Sequence, residues 1–436
     1  MKVLFLTTYN FLITNEHIFT RNVWSSLCQQ FERNGDDICV GTIFQMEEDI
    51  VPYVVVDEDH GKKYYKLYYP STFSEAEKVA EIARFFRHIS PSVIHSNMEE
   101  GIEVKAAREC GMPIVLTIHI GGVICPRGGV HGFLNYKDEI CDTKVGSHCL
   151  RCCAKDLPLS SLSYFLYRIL PGKFLSWCYD KLQKKQIFYI TQFLRNYNEI
   201  VLLRGKIETY KYATIIAANE RLKQLLALNG LVDNVVLLPH GVKARPKLSL
   251  PEVKDIVKFY YVGRIQYAKG IHNLLSAFEG IDKSLYELHI VGDIGNSRSS
   301  KQYKDELLYL SKKKNVIFHG EIPNEQLESV LREMHVMIHP AIFLEVYGIT
   351  VAESLAIGRP VLATCCGGAE MQIQDGVNGW LVPANDIIAL RNKIIEILRN
   401  KNQIEIKNKN CRLPHSLEEY SRKLLLLYEK MIKDLE

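Results

Sequence analysis

The sequence predicts an α/β chain of two domains, each built on a parallel sheet with helices on both faces. Three observations carry that expectation. Short apolar runs alternate with amphipathic stretches from Val3 to Leu116, the pattern of repeated strand and helix units. The alternation resumes at Phe259, after the polar, proline-containing stretch Lys243-Ala244-Arg245-Pro246-Lys247, which reads as a linker. With 436 residues, 47% of them hydrophobic, the chain can bury two cores of ordinary domain size. The expected division is 1–243, 244–414 and a last helical segment, 415–436.

Composition narrows the partners. The formal net charge is +4, too small to imply a polyanion, so nucleic acid is not expected. No stretch approaches the roughly eighteen apolar residues of a membrane span. Met1 to Thr8 has too short an apolar core for a signal peptide and lacks a small-residue cleavage site. It reads instead as the first buried strand. The protein is therefore expected in the cytoplasm with its 12 cysteines reduced.

In the first half, Val3 to Leu6, Ile38-Cys39-Val40, Val93-Ile94-His95 and Ile114-Val115-Leu116 read as strands. Helices are expected around Thr20 to Asn34, Ser74 to Arg87 and Ile102 to Cys110. Parallel sheets bind ligands at the carboxyl ends of their strands, where His95 and His119 both stand. Asp57-Glu58-Asp59 imitates a metal-binding D-x-D, but it follows Val54-Val55-Val56 in what reads as a solvated charged turn.

From 123 to 155 the pattern changes to a Gly- and His-containing loop with Cys125, Cys141, Cys149, Cys152 and Cys153. Cys125, Cys141, Cys149 and Cys152 are a ligand set for a tetrahedral structural zinc. The wide spacing of the first pair leaves buried reduced thiols as the other reading. The stretch 157–210 then mixes aromatics (Phe165, Phe174, Trp177, Tyr197) with Arg168, Lys173, Lys181, Lys184 and Lys185. That mixture suits either an anionic membrane surface or helices packed on their own domain. Ala213 to Ala218 reads as a strand, Glu220 to Leu228 as a helix, and Val235 to Val242 as the last strand and turn of this domain.

The second domain opens with Phe259-Tyr260-Tyr261-Val262-Gly263-Arg264, then Lys269-Gly270 and a helix from Ile271 to Phe278. Two cations over a helix start can neutralise a diphosphate without a metal. Leu288 to Gly292 and Val316 to Ile322 are further strands. The turn Gly292-Asp293-Ile294-Gly295 is no G-x-G-x-x-G fingerprint, so a nicotinamide cofactor has no support.

Val336-Met337-Ile338 reads as a buried strand, followed by an acidic turn, a helix from Gly348 to Ile357 stopped by Gly358 and Pro360, and the strand Val361-Leu362-Ala363. The first turn of that helix leaves backbone N–H groups near Gly348 to Val351 beside a strand end, which is an anion site. Glu345 and Glu353, with seven residues between them, are placed to flank one bound molecule and accept hydrogen bonds from sugar hydroxyls. Ordinary helix-start glutamates are the plainer reading. Helices from Asp386 to Arg399 and Leu417 to Leu435 finish the chain.

This stretch resembles the E-x7-E motif of retaining nucleotide-sugar glycosyltransferases of family 4. The neighbours match as well: Glu353-Ser354-Leu355-Ala356, Gly358-Arg359-Pro360-Val361, Gly367-Gly368-Ala369-Glu370 and Asn378-Gly379-Trp380-Leu381-Val382. The resemblance implies the GT-B fold, two Rossmann-like domains with parallel sheets facing a central cleft, the last helix crossing back to the first domain. It implies a nucleoside-diphosphate sugar donor contacted by Gly263, Arg264, Lys269, Gly292, Ile322, Glu345, Gly348, Ile349 and Glu353. Glu345, Arg264, Lys269 and His119 are the implied catalytic set, with His119 facing the transferred sugar and no cofactor required for catalysis. A glycan or glycolipid acceptor follows, in surface polysaccharide or glycolipid assembly, on the inner face of a membrane. One departure stands out: relatives carry a glycine pair after the first strand, where this chain has Ile13-Thr14-Asn15-Glu16-His17, and Glu16 is the weakest candidate. A nucleotide-sugar epimerase of the same fold, or a non-catalytic donor-binding partner subunit, are the rival readings.

Overall fold

The computed structural model describes residues 1–7, 28–59, 62–98, 100–119, 121–128, 132–155, 160–182, 188–295 and 298–435. Glu16 and most of the helix expected from Thr20 to Asn34 lie outside the described residues. The chain forms two compact units, the first of Met1–Pro126, Thr143–Gly241 and Leu417–Glu436, the second of Arg127–Asp142 and Val242–Ser416.

The described strands of unit 1 are β1 (Lys2–Thr7), β2 (Asp37–Met46), β3 (Tyr53–Asp59), β4 (Lys62–Pro70), β5 (Val93–Ser96), β6 (Ile114–Thr117), β7 (Thr214–Ala217) and β8 (Val235–Leu237). They form one sheet in the order β3-β4-β2-β1-β5-β6-β7-β8. All neighbours are parallel except β3 and β4. Val3, Phe5 and Val93 of the central strands share a core with Leu417, Tyr420, Leu424 and Tyr428 of the helix Leu417–Lys433. The helix Glu75–Ile89 starts with a capping box between Ser74 and Glu77 and buries Val79, Ile82, Phe85 and Phe86.

Here the structure corrects one expectation. Asp57-Glu58-Asp59 is not a turn but the end of β3, paired antiparallel with Lys62 to Tyr64, and Asp57 is ion-paired with Lys66. β3 is an edge strand, where charged side chains are tolerated and discourage edge-to-edge association. In β4, Tyr65, Leu67 and Tyr69 alternate inward, a period of two that a helix cannot satisfy.

Unit 2 has β9 (Val257–Val262), β10 (Tyr286–Val291), β11 (Val316–Gly320), β12 (Val336–His339), β13 (Val361–Thr364) and β14 (Gly379–Val382). They lie in the order β11-β10-β9-β12-β13-β14, all parallel. The sheet divides two cores. Phe259, Tyr261, Leu274, Leu288 and Trp380 lie on one face, and Tyr260, Met337, Val351, Leu355 and Val361 on the other. The segment Arg127–Asp142, read from the sequence as part of a first-domain loop, belongs to unit 2. The reason is local: Ile140 packs on the Met337 and Val361 core, and Asp138 accepts from the Tyr267 hydroxyl at 3.3 Å and from Asn385 at 3.1 Å.

Candidate functional site

The site is assembled at the carboxyl ends of the strands of unit 2. Gly263 and Gly292 follow β9 and β10, and a Cβ on Gly292 would sit 1.9 Å from the Gly263 carbonyl oxygen. Only glycine lets these two loops leave the sheet side by side. Arg264 emerges there, exposed, its carbonyl accepting from the Tyr261 hydroxyl at 2.8 Å. Among the described residues its guanidinium forms no ion pair.

The chain then makes the short 3-10 turn Tyr267–Lys269 and passes through Gly270 at φ +71°. The amide of Ile342 donates to the Ala268 carbonyl at 3.0 Å, and a Cβ on Gly270 would lie 2.0 Å from the Pro340 carbonyl oxygen. This contact holds the turn against the segment leaving β12. Lys269 Nζ consequently reaches Glu345 Oε2 at 2.5 Å and lies over the Phe343 ring, 5.0 Å from its centroid. His339, the last residue of β12, places Nε2 3.6 Å from the same carboxylate oxygen. Burial pushes the Glu345 carboxyl up, but Lys269 and His339 outweigh it and hold it down to about 2. Glu345 is an anion at neutral pH. Its backbone is fixed too, since its amide donates to the Cys366 carbonyl at 2.8 Å and its carbonyl accepts from Gly368 at 2.9 Å.

Gly348, at φ +74°, caps the helix Ile349–Ala356 without a side-chain hydrogen bond. Among the described residues no side chain caps the first amides of that helix, which an anion could meet. The Glu345 Cγ stands 3.6 Å from the position of a Gly348 Cβ, so the carboxylate and the helix start border one another. Gln372 donates to the carbonyls of Tyr347, Gly348 and Gly368, fixing the turn before the helix. Glu353 lies in the helix with Oε1 3.7 Å from Arg245 Nη2. Burial raises its pKa and Arg245 opposes the rise. Ile322, beyond β11, packs partly buried on the Met337 core.

Three residues that sequence reasoning missed belong here. His339 stands at a strand end, the same rule that singled out His119; Arg245 was absorbed into the linker; Gln372 carried no signal.

In unit 1, His95 is not placed for a ligand. Its Nε2 lies 2.6 Å from the Thr117 hydroxyl and its Nδ1 is hydrogen-bonded to Tyr428, so it ties β5 and β6 to the carboxy-terminal helix. His119 stacks on His240, ring centroids 5.2 Å apart and planes 13° from parallel. Burial pushes His119 down to about 4 and, with His119 beside it, His240 down to about 3. Both are neutral at pH 7. Among the described residues no three His, Cys, Asp or Glu side chains gather as a metal-holding group, so a zinc on Cys125, Cys141, Cys149 and Cys152 draws no support from their geometry. Cys149 and Cys152 are buried, Cys125 and Cys141 partly so.

Together, two cations, an uncapped helix start and two carboxylates could hold an anionic ligand that also carries hydroxyl groups. Comparison with known proteins points the same way. The chain is 32% identical over 203 residues to a D-inositol 3-phosphate glycosyltransferase of Acidothermus cellulolyticus, covering 40% of this chain and 44% of that one. It is 27% identical over 180 residues to a phosphatidyl-myo-inositol mannosyltransferase of Mycobacterium leprae, covering 40% and 46%. The match spans about half the length of the curated relatives. Among solved structures, Anabaena HepE in complex with UDP and glucose superposes with a TM-score of 0.64 at 14% identity, over 99% of this chain and 100% of that one. Sucrose-phosphate synthase from Thermosynechococcus elongatus gives a TM-score of 0.65 at 16% identity, over 99% of each. The fold is GT-B, with two α/β domains on mostly parallel sheets. Residues 244–423, which hold every unit 2 side chain just described except those of the Arg127–Asp142 segment, match the model of the family of glycosyl transferases group 1.

Proposed function

We propose that this protein is a retaining glycosyltransferase, moving a sugar from a nucleoside-diphosphate sugar to a hydroxyl of a glycan or glycolipid acceptor. The observation that carries the reading is the Lys269–Glu345 ion pair beside the uncapped start of helix Ile349–Ala356, with Arg264 left without a counter-charge among the described residues. A diphosphate would supply that charge, lying against Arg264, Lys269 and the amides at Gly348 and Ile349. Glu345 would accept hydrogen bonds from the transferred sugar, Glu353 from the ribose, and the neutral His119 would contact the sugar.

In the reaction, the bond from the anomeric carbon to the diphosphate oxygen breaks and a bond to the acceptor oxygen forms on the same face. The acceptor proton passes to the departing phosphate, and the developing charge is met by Arg264 and Lys269. No cofactor takes part in this scheme. A uridine diphosphate sugar is the first donor to test, because the HepE structures hold UDP and UDP-glucose. We place the acceptor in surface polysaccharide or glycolipid assembly, with the protein peripheral to the cytoplasmic face of a membrane.

The test is donor turnover with candidate acceptors, after a thermal-shift screen of nucleotide-sugars to choose the donor. Glu345→Ala and Lys269→Ala should each abolish transfer while leaving the fold, and retained turnover in either refutes the assignment. Chromatography of an acceptor-free incubation separates the epimerase reading, which requires a changed nucleotide-sugar without acceptor.

A further inference from the structure

Unit 1 carries an apolar surface that the transfer scheme leaves unused. Along the helix Ser160–Ile169, Leu162, Phe165 and Ile169 are exposed at a spacing that makes one face. Phe174 and Trp177 are exposed on the next helix, Gly172–Leu182. Phe165, Ile169 and Trp177 are 58%, 56% and 56% exposed, and large apolar groups left this open on two successive helices mark an interaction surface. Phe174 and Trp177 are stacked, centroids 6.0 Å apart.

The helix pair cannot roll over to hide this face, because its other side is fixed. Ser163 and Leu175 are buried, and Tyr167 packs against Tyr197 of the helix Phe188–Tyr210 with centroids 5.5 Å apart. The Tyr197 hydroxyl donates to the Gly172 carbonyl at 3.1 Å, and a Cβ on Gly172 would meet that hydroxyl at 2.7 Å. Beside the apolar face stand the exposed cations Arg168, Lys173 and Lys181. Against them residues 160–182 carry one acid, Asp180, and Lys184 and Lys185 follow in sequence. No described helix is long and apolar enough to cross a membrane.

We propose that helices Ser160–Ile169 and Gly172–Leu182 dock the protein on an anionic lipid surface, lying in the headgroup layer. Phe165, Ile169, Phe174 and Trp177 enter the acyl boundary, while Arg168, Lys173 and Lys181 meet lipid phosphates. Charge decides for lipid over a second copy of the chain, since a two-fold contact through this face would set the same cations against one another. That the docked membrane also holds the acceptor rests on the transferase reading; the docking itself rests on unit 1 alone.

Sedimentation of the full chain with phosphatidylcholine vesicles, with and without phosphatidylglycerol, tests the proposal. Wild type should bind the anionic vesicles and release as salt rises. Phe165→Ser/Trp177→Ser should lower binding about tenfold, with its circular dichroism unchanged. Arg168→Gln/Lys173→Gln should weaken binding at low salt and flatten the salt dependence. Lys269→Ala should bind as wild type does, so that loss of turnover and loss of docking are read separately. Equal sedimentation of wild type and Phe165→Ser/Trp177→Ser overturns the proposal. So does a wild type that ignores anionic vesicles but runs as a dimer dissolved by the same double substitution, which would assign the face to a second copy.

Discussion

Removing the ammonium of Lys269 tests whether the charge arrangement at Glu345 is what the geometry says it is. Burial alone would raise the Glu345 carboxyl above its ordinary 4.5, yet it is held down to about 2. That difference corresponds to about 3 kcal/mol of stability at neutral pH. Because the folded value is the lower one, the stabilisation is complete above about pH 4.5 and fades as pH falls toward 2. Lys269→Ala takes the nearest counter-charge from a buried carboxylate that His339 also borders, so unit 2 should lose about 3 kcal/mol at pH 7. The sign of the pH dependence also reverses. With burial now dominant, the variant weakens as pH rises past the ordinary carboxylate range, and the gap to wild type widens toward neutrality. Glu345→Gln on top of Lys269→Ala removes the stranded charge and should return about 2 kcal/mol. Urea unfolding of unit 2 is read from Trp380, which is 2% exposed within its core, in a Trp24→Phe/Trp177→Phe background. A loss below about 0.5 kcal/mol at pH 7, with the two substitutions simply additive, would refute the pairing.

Two further outcomes follow from buried groups and close contacts. Gly270→Ala meets both a φ of +71° and the Pro340 carbonyl oxygen at 2.0 Å, and should cost about 3 kcal/mol or more. Gly376→Ala, at φ +77° with nothing within 4 Å of its Cβ, should cost only about 1 kcal/mol, and equal costs by the same Trp380 readout would remove the close-contact argument. Glu103, wholly buried in unit 1, has its carboxyl pushed up to about 8 by burial. Here the folded value is the higher one, so the native state loses stability as pH rises from about 4.5 to 8. Glu103→Gln should therefore stabilise unit 1 by about 3 kcal/mol near pH 7 and by little at pH 4.5, which thermal melts across that range measure directly.

Much of the architecture was legible because its causes are local. The helix Glu220–Leu228 lies where its apolar spacing placed it, with Asn219 accepting from Leu222 as its cap. Gly358 and Pro360 stop the helix Ile349–Ala356 as their backbone preferences require. The edge hairpin of β3 and β4 was harder to read, because a charged tail on Val54-Val55-Val56 looks the same in a turn as on the open edge of a sheet. The charged helix Arg298–Ser311 and the short helix Asn402–Asn410 were not anticipated either. Their apolar faces are too narrow to stand out in a mostly polar sequence.

Within the candidate site the same division holds. Glycine stops and cation spacing, properties of a few consecutive residues, are what led to the expectation that Arg264, Lys269 and the start of the helix after Gly348 border an anion, and the family resemblance added Glu345. They could not say that Lys269 and Glu345, 76 positions apart, touch, or that His339 shares the same carboxylate oxygen. Those facts depend on β9 lying beside β12 in the sheet and on Gly270 letting one loop press against the other. Nor could they foresee that His95, at a strand end like His119, spends both ring nitrogens on Thr117 and Tyr428, or that Arg127–Asp142 joins unit 2. Strand order and long-range side-chain partners are settled by how distant apolar faces pack, and no window of neighbouring residues contains that information.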